Sequence, residues 1–216
     1  MAFSPLFGAV CLTQTAGKKP TNQSFRIIGK CRKERVSKMK TYTLHVAGLT
    51  RELPICAVSD TLDIAAFIML GDVELTKACA RDLLPKCPEF DVLLTAECKG
   101  IPLAYEMAAQ SDKPHVIARK GIKVYTINPI EAVVNSITTQ HTQKLYLGQD
   151  EVEKLRGKRV MIVDDVISTG ESLEALEQLV QKAGGNIVGK AAVLAEGDAA
   201  KRDDIIFLEE LPLFFK

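Results

Sequence analysis

Two adjacent carboxylates, Asp164 and Asp165, follow the apolar run 160–163, and after Val166 and Ile167 comes Ser168-Thr169-Gly170. Neighbouring side chains of an extended chain point in different directions, so the two acids can address two places. Such a pair suits the two hydroxyls of a ribose, or a hydrated divalent cation. The Ser-Thr-Gly turn offers free backbone N–H groups and two hydroxyls. A helix opening at Glu171 would aim its unpaired N–H groups and the positive end of its dipole into that turn. The result is an anion site suited to phosphate. Sugar hydroxyls beside a phosphate describe a ribose 5-phosphate. The plainer alternative, a Ser168 or Thr169 helix cap next to two solvated acids, explains fewer residues of the pattern.

A buried strand must deliver those acids and a helix must receive the turn, and the chain alternates accordingly. "YTLHVAG" and "ELPICAV" read as short strands, and "TLDIAAFIML" and "DVELTKACARDLLPK" as helices, with Asp60 or Thr61 and Asp72 at their starts. The compact apolar run 91–95 is a strand, followed by a polar turn and the helix "IPLAYEMAAQ". Pro102 suits its first turn, where a missing N–H has no partner to lose. Residues 114–118 and 159–163 are further buried strands. "ESLEALEQLVQKA" places Leu173, Leu176, Leu179 and Ala183 on one helical face, with Gly184 as a stop. "NIVGKAAVLA" and "DIIFL" complete the strands. Short apolar strands separated by helices predict a doubly wound parallel α/β sheet with flanking helices. Ligands bind outside the carboxyl ends of such strands, so the turns after 95, 118 and 163 should converge. Residues 121–150 break the rhythm. Their β-branched alternation around "NSITTQHTQ" predicts an antiparallel excursion with a mobile tip, a lid over the site.

Composition bounds the rest. A chain of 216 residues, 47% apolar and 25% charged, suits one well-filled globular domain. No apolar run approaches the ~20 residues needed to span a bilayer. Six cysteines without CxxC or Cys/His spacing argue against structural zinc and for scattered thiols in an intracellular, cytoplasmic chain. Residues 1–40 hold nine Lys/Arg and one acid, while the remainder holds 19 basic and 26 acidic side chains. The basic leader could be a nucleic-acid-binding arm, a targeting segment or a disordered extension. The extension is favoured, because a strand-like alternation begins at once after Met39. Residues 1–38 are therefore read as disordered and 39–216 as the folded domain. "GGNIVGKA" (184–191) is a decoy for a nucleotide-binding loop. Ala191 stands where a magnesium-binding hydroxyl is required, and the stretch runs from helix to strand rather than the reverse.

"VMIVDDVISTGES" (160–172) resembles the phosphoribosyl-diphosphate-binding signature of the type I phosphoribosyltransferases, and the likeness covers most of 41–216. It implies that family's fold, with a lid and a small hood. It also implies that Asp164 and Asp165 grip the ribose hydroxyls and that Val166, Ser168, Thr169, Gly170, Glu171 and Ser172 cradle the 5-phosphate. "TAECKGIP" (95–102) resembles the family's pyrophosphate loop, which assigns Glu97, Cys98, Lys99 and Gly100 to pyrophosphate. Adenine-type members usually carry Arg where Lys99 stands, and lysine offers a point charge rather than a fork. "ARKGIK" (118–123) resembles the basic stretch of the adenine and xanthine branch. Arg119, Lys120 and Lys123 would then contact diphosphate across a homodimer interface, with Lys120 counted with the two acids as catalytic.

The implied reaction transfers phosphoribose to a purine, adenine first, with Mg2+ carried by the substrate and reached from Asp164 and Asp165 through water. Ser168 stands where the hypoxanthine-guanine branch has Asp, which argues against that branch. The base pocket is expected near 53–58 and "LEELPLFF", with Phe214 or Phe215 as a stacking partner. A regulator that senses phosphoribosyl diphosphate is the competing class, but forty basic residues without helix-turn-helix patterning make a poor DNA-binding domain. Neither a specific nucleic acid nor a membrane is expected as a partner.

Overall fold

The computed structural model describes residues 40–135 and 142–216. The expectations for 1–38 and for the excursion's tip at 136–141 lie outside the described residues. From its start the described chain builds β1 (Thr41–Val46), β2 (Leu49–Ala57), β3 (Leu62–Ala65), α1 (Val73–Leu83) and β4 (Val92–Ala96). Next come α2 (Ile101–Ser111), β5 (His115–Ala118), β6 (Ile130–Asn135), β7 (Thr142–Leu147) and α3 (Gln149–Leu155). The last part holds β8 (Arg159–Ile167), α4 (Glu171–Ala183), β9 (Asn186–Glu196), β10 (Ile206–Leu211) and β11 (Leu213–Phe215).

Five strands form one sheet in the order β10-β9-β8-β4-β5, every neighbouring pair parallel. Both faces are covered, which is why the central stretches 92–94, 160–163 and 191–195 are entirely apolar. Val92, Leu94, Val160 and Ile162 pack with Leu173, Leu176 and Leu179 of α4 and with Leu145 and Leu147 of β7. Leu93, Met161 and Val163 pack on the other face with Leu75, Cys79 and Leu83 of α1 and Leu103 and Met107 of α2. The doubly wound parallel sheet is thus the one the alternation predicts. The excursion is the antiparallel hairpin β6–β7, with Ile130 opposite Leu147. The short helix α3, not anticipated, leads from it back to β8.

Two expectations need correction. "TLDIAAFIML" is not a helix. Residues 62–65 form β3, pairing antiparallel with β2 (Ile64 opposite Cys56) and with β11 (Leu213 opposite Ile64). Beyond it Ala65, Phe67 and Met69 are buried while Ile68 and Leu70 are exposed. That is a period of two, concealed because the exposed face is apolar as well. The order β1-β2-β3-β11 then makes a four-stranded hood, joined to the chain's carboxyl end. The second correction concerns β8, which does not stop at Val163. Its pairing with β9 continues through Asp164 (opposite Ala192), Val166 (opposite Leu194) and Ile167 (opposite Ala195), so the acids lie inside the strand.

Helix α4 anchors the turn between itself and β8 through its fully buried Leu179. Leu179→Ala should cost about 2–5 kcal/mol of unfolding free energy, read from urea denaturation of the folded chain. A loss below about 1 kcal/mol would mean that this face does not anchor the turn.

Candidate active site

The turns after β4, β5 and β8 do converge. Ala96, Glu97, Cys98, Lys99 and Lys120 surround one cavity together with Leu145, Asp164, Asp165, Val166 and Ser172. The Glu97–Cys98 peptide is cis. Glu97 ties two of the turns together, because its Oε2 accepts a hydrogen bond from the Lys120 backbone N–H at 3.0 Å. Its own N–H donates to Ala118 O at 2.9 Å.

Helix α2 follows this loop, with Gly100 as an N-cap that makes no side-chain bond and with Pro in its first turn, and its Ile101 N–H donates to Cys98 O at 3.3 Å. Only glycine fits at 100. A Cβ there would collide with Thr95 Oγ1 and approach Asp164 Oδ1 to 2.9 Å. The Thr95 hydroxyl is fully buried and without a hydrogen-bond partner among the described residues.

The acid pair is asymmetric. Asp165 is 2% exposed, and its Oδ2 forms an ion pair with Lys99 Nζ at 2.8 Å. Its backbone N–H donates to Asp164 Oδ1 at 2.9 Å. Asp164 has no cation in hydrogen-bond contact among the described residues. Burial above all, and then the Asp165 charge beside it, push the Asp164 carboxyl up to about 7. Lysine compensates one acid, and the raised pKa of the other makes its charged form less favourable.

Asp164 also opens onto a second cavity of about 210 Å3, shared with Val166, Ser168, Thr169, Gly170, Glu171 and Ser172. That volume is several times the roughly 30 Å3 share of a liquid water, so a phosphate group fits. Gly170 stands at the helix N-cap with φ +86°, a left-handed conformation that costs any other residue about 1–2 kcal/mol. No side chain caps α4. Ser168 and Thr169 stand exposed, so the cap alternative is not what the fold builds. The first residues of α4 line this cavity.

Other predicted residues lie apart. Arg119 turns toward Tyr125, donating Nη1–H to its hydroxyl at 3.1 Å and stacking 5.6 Å from its ring centroid. It lines a separate small cavity with Tyr146 and Glu151. Lys123 stands on the exposed loop 121–129, where its backbone N–H donates to Thr126 Oγ1 at 3.1 Å. Phe214 packs edge-on against Tyr42 in the hood at 5.7 Å, whereas Phe215 is 77% exposed. Leu145 was not anticipated at the cavity, and only the β6–β7 pairing brings it there.

The Asp164 environment has a consequence for stability. A folded pKa above the ordinary carboxylate value means a contribution fully present below about pH 4 and lost as pH rises through about 7. Measured without ligand, the wild-type melting temperature should fall relative to that of Asp164→Asn across this window and then level off. A gap between the two that does not change with pH would overturn the assignment.

Comparison with known proteins agrees with this geometry. The family model described as "Phosphoribosyl transferase domain" matches residues 77–212. The adenine phosphoribosyltransferase of Thermotoga petrophila is 38% identical over 104 residues, covering 48% of this chain and 58% of that protein. The xanthine phosphoribosyltransferase of an Exiguobacterium species is 36% identical over 123 residues, covering 56% of this chain and 62% of that protein. The chain thus spans less than two thirds of the length of either relative. Among solved structures, an adenine phosphoribosyltransferase from Thermoanaerobacter pseudethanolicus superposes with a TM-score of 0.56 at 24% identity, covering 66% of this chain and 84% of that one. That likeness bears on the fold. With the matched segment running from α1 to the hood strand, the chain belongs to the phosphoribosyl transferase domain family.

Proposed function

We propose that the chain is a purine phosphoribosyltransferase. It would move 5-phosphoribose from phosphoribosyl diphosphate to a purine nitrogen and release pyrophosphate. One observation carries this reading: the two adjoining cavities share Asp164, one lying at the N-terminus of α4 and the other walled by Lys99 and Lys120. That spacing suits a ligand with phosphate at both ends and a diol between them.

In this reading the 168–172 turn holds the 5-phosphate, and Asp164 and Asp165 accept the ribose hydroxyls. Lys99 and Lys120 receive the pyrophosphate charge as it develops. The bond from C1 to the acceptor nitrogen forms as the C1–O bond to pyrophosphate breaks. The hairpin β6–β7, which brings Leu145 to the cavity, limits water there.

Magnesium fits the donor set. Of the two adjacent carboxyls only Asp165 is in contact with a lysine, Lys99, among the described residues, so an added positive charge would be favourable. In this reading the ion comes with the substrate oxygens and reaches Asp164 and Asp165 through water. When bound, it neutralises charge on the departing pyrophosphate.

Adenine is the first choice of acceptor, supported by the Arg119-Lys120-Gly121 stretch and by Ser168. Relatives are named for adenine, xanthine and hypoxanthine/guanine. A homodimer belongs to the same reading, supported by the exposed apolar side chains Ile122, Val124, Tyr125 and Ile127 beside the basic stretch. So does a cytoplasmic location, supported by the free cysteines Cys56, Cys79, Cys87 and Cys98. No helix among the described residues is long and apolar enough to cross a membrane.

With magnesium and phosphoribosyl diphosphate, a panel of adenine, xanthine, hypoxanthine, guanine, uracil and orotate should release pyrophosphate fastest with adenine. Binding of phosphoribosyl diphosphate without turnover on any base would point instead to a regulator. The double variant Asp164→Asn with Asp165→Asn should lose at least ~10²-fold in turnover while staying folded by circular dichroism. Near-normal turnover would remove the ribose-gripping role.

A further inference from the structure

The cavity read as the 5-phosphate cup has a charge problem. No Lys or Arg lines it among the described residues. A phosphate monoester brings about −1.5 to −2 charges at neutral pH, and a helix N-terminus offsets only about half a charge. The adjoining cavity, by contrast, has Lys99 and Lys120 in its wall.

A guanidinium stands directly behind the cup. A Cβ built on Gly170 would lie 2.9 Å from Nη1 of Arg202, so that nitrogen occupies the space a side chain at 170 would need. Arg202 is clamped in this position. Its Nε and Nη2 donate to Asp204 Oδ1 and Oδ2 at 2.8 and 2.7 Å. Asp204 also receives Lys190 Nζ at 2.7 Å, and the same ammonium pairs with Glu177 of α4 at 2.7 Å. The clamp is balanced in charge, two cations against two carboxylates. It is also polar in direction, because Asp204 holds the Nε–Nη2 edge while Nη1 faces the turn. Among the described residues Nη1 makes no hydrogen bond.

We propose that Arg202 is a positioning residue for the 5-phosphate. It backs the left-handed Gly170 turn, fixes the turn against α4 through the Asp204–Lys190–Glu177 chain, and turns its free positive edge toward the anion. This rests on the reading of 168–172 as the 5-phosphate cup. Gly170 then has two reasons to be glycine, its φ and the guanidinium behind it.

The test separates the two phosphate ends of the ligand. Binding of ribose 5-phosphate and of pyrophosphate is measured separately by calorimetry, with magnesium, on wild type, Arg202→Gln and Arg202→Lys. Removing the guanidinium should weaken ribose 5-phosphate on the order of tenfold, the size expected for a charge-assisted contact, and leave pyrophosphate within about twofold. Lysine keeps the charge but cannot hold Asp204 and face the turn together, so Arg202→Lys should fall between, at about a threefold loss.

Unchanged ribose 5-phosphate affinity in a folded Arg202→Gln would overturn the proposal, as would equal losses for both ligands. Should Arg202→Gln not fold, Arg202→Lys decides the matter, and wild-type affinity there would overturn it equally. Wild-type protein that binds pyrophosphate but not ribose 5-phosphate would overturn the reading of the cup itself, a result seen without any variant.

Discussion

Two carboxyls placed side by side at the end of a buried strand cannot both carry uncompensated charge, and the site is arranged around that constraint. Desolvation and mutual repulsion each disfavour the doubly ionised pair. The fold answers with one lysine, Lys99, on Asp165, while burial and the neighbouring acid raise the pKa of Asp164. The pair is therefore electrostatically incomplete without ligand. A cation carried in by a substrate, or hydroxyls that donate to the acids, would complete it. Glycine at 100 is part of the same arrangement, since a larger residue would press against Asp164 and the buried Thr95 hydroxyl.

Around this pair the parallel sheet works as a delivery device. Strands running the same way open their carboxyl ends on one edge, so turns distant in sequence meet there. Glu97 and Lys120 are linked by a hydrogen bond although 23 residues apart, and Lys99 and Asp165 by an ion pair although 66 apart. Helices α2 and α4 both begin at that edge without side-chain caps.

The remaining elements enclose this edge and support it. The hood β1-β2-β3-β11 is built from the two ends of the described chain, and the inner face of β1 and β2 continues into the core over α1 and α2. Arg51 of β2 fixes the hood to the start of α1, donating Nε–H to Asp72 at 2.7 Å and reaching Glu74 at 2.8 Å. The clamp from Lys190 through Asp204 to Arg202 does comparable work behind the turn at 168–172. In the hood a guanidinium holds two carboxylates, whereas behind the turn the Lys190 ammonium pairs with Glu177 and Asp204 and the Arg202 fork grips Asp204 alone.

Local chemistry alone determined the sheet strands, three of the helices, the acid pair and the Ser-Thr-Gly turn. Each is encoded within a dozen or so consecutive residues, as an apolar run, a helical stripe or a cap-and-stop pattern. Tertiary structure decided what depends on partners far away. Residues 62–70 look helical until pairing with β2 and β11 and the burial of alternate residues make them extended, because an apolar outer face hides a period of two. Strand β8 runs on through its acids because β9 continues to pair with it, and no local signal marks that continuation. Arg119 and Lys120 are neighbours in sequence, yet one turns to Tyr125 and the other's residue joins the cavity wall. Leu145 and Arg202 reach the site only through folding, since neither belongs to a local pattern that touches it. A sequence can place charge and turn chemistry at a strand end, but only packing determines which distant side chains are brought there.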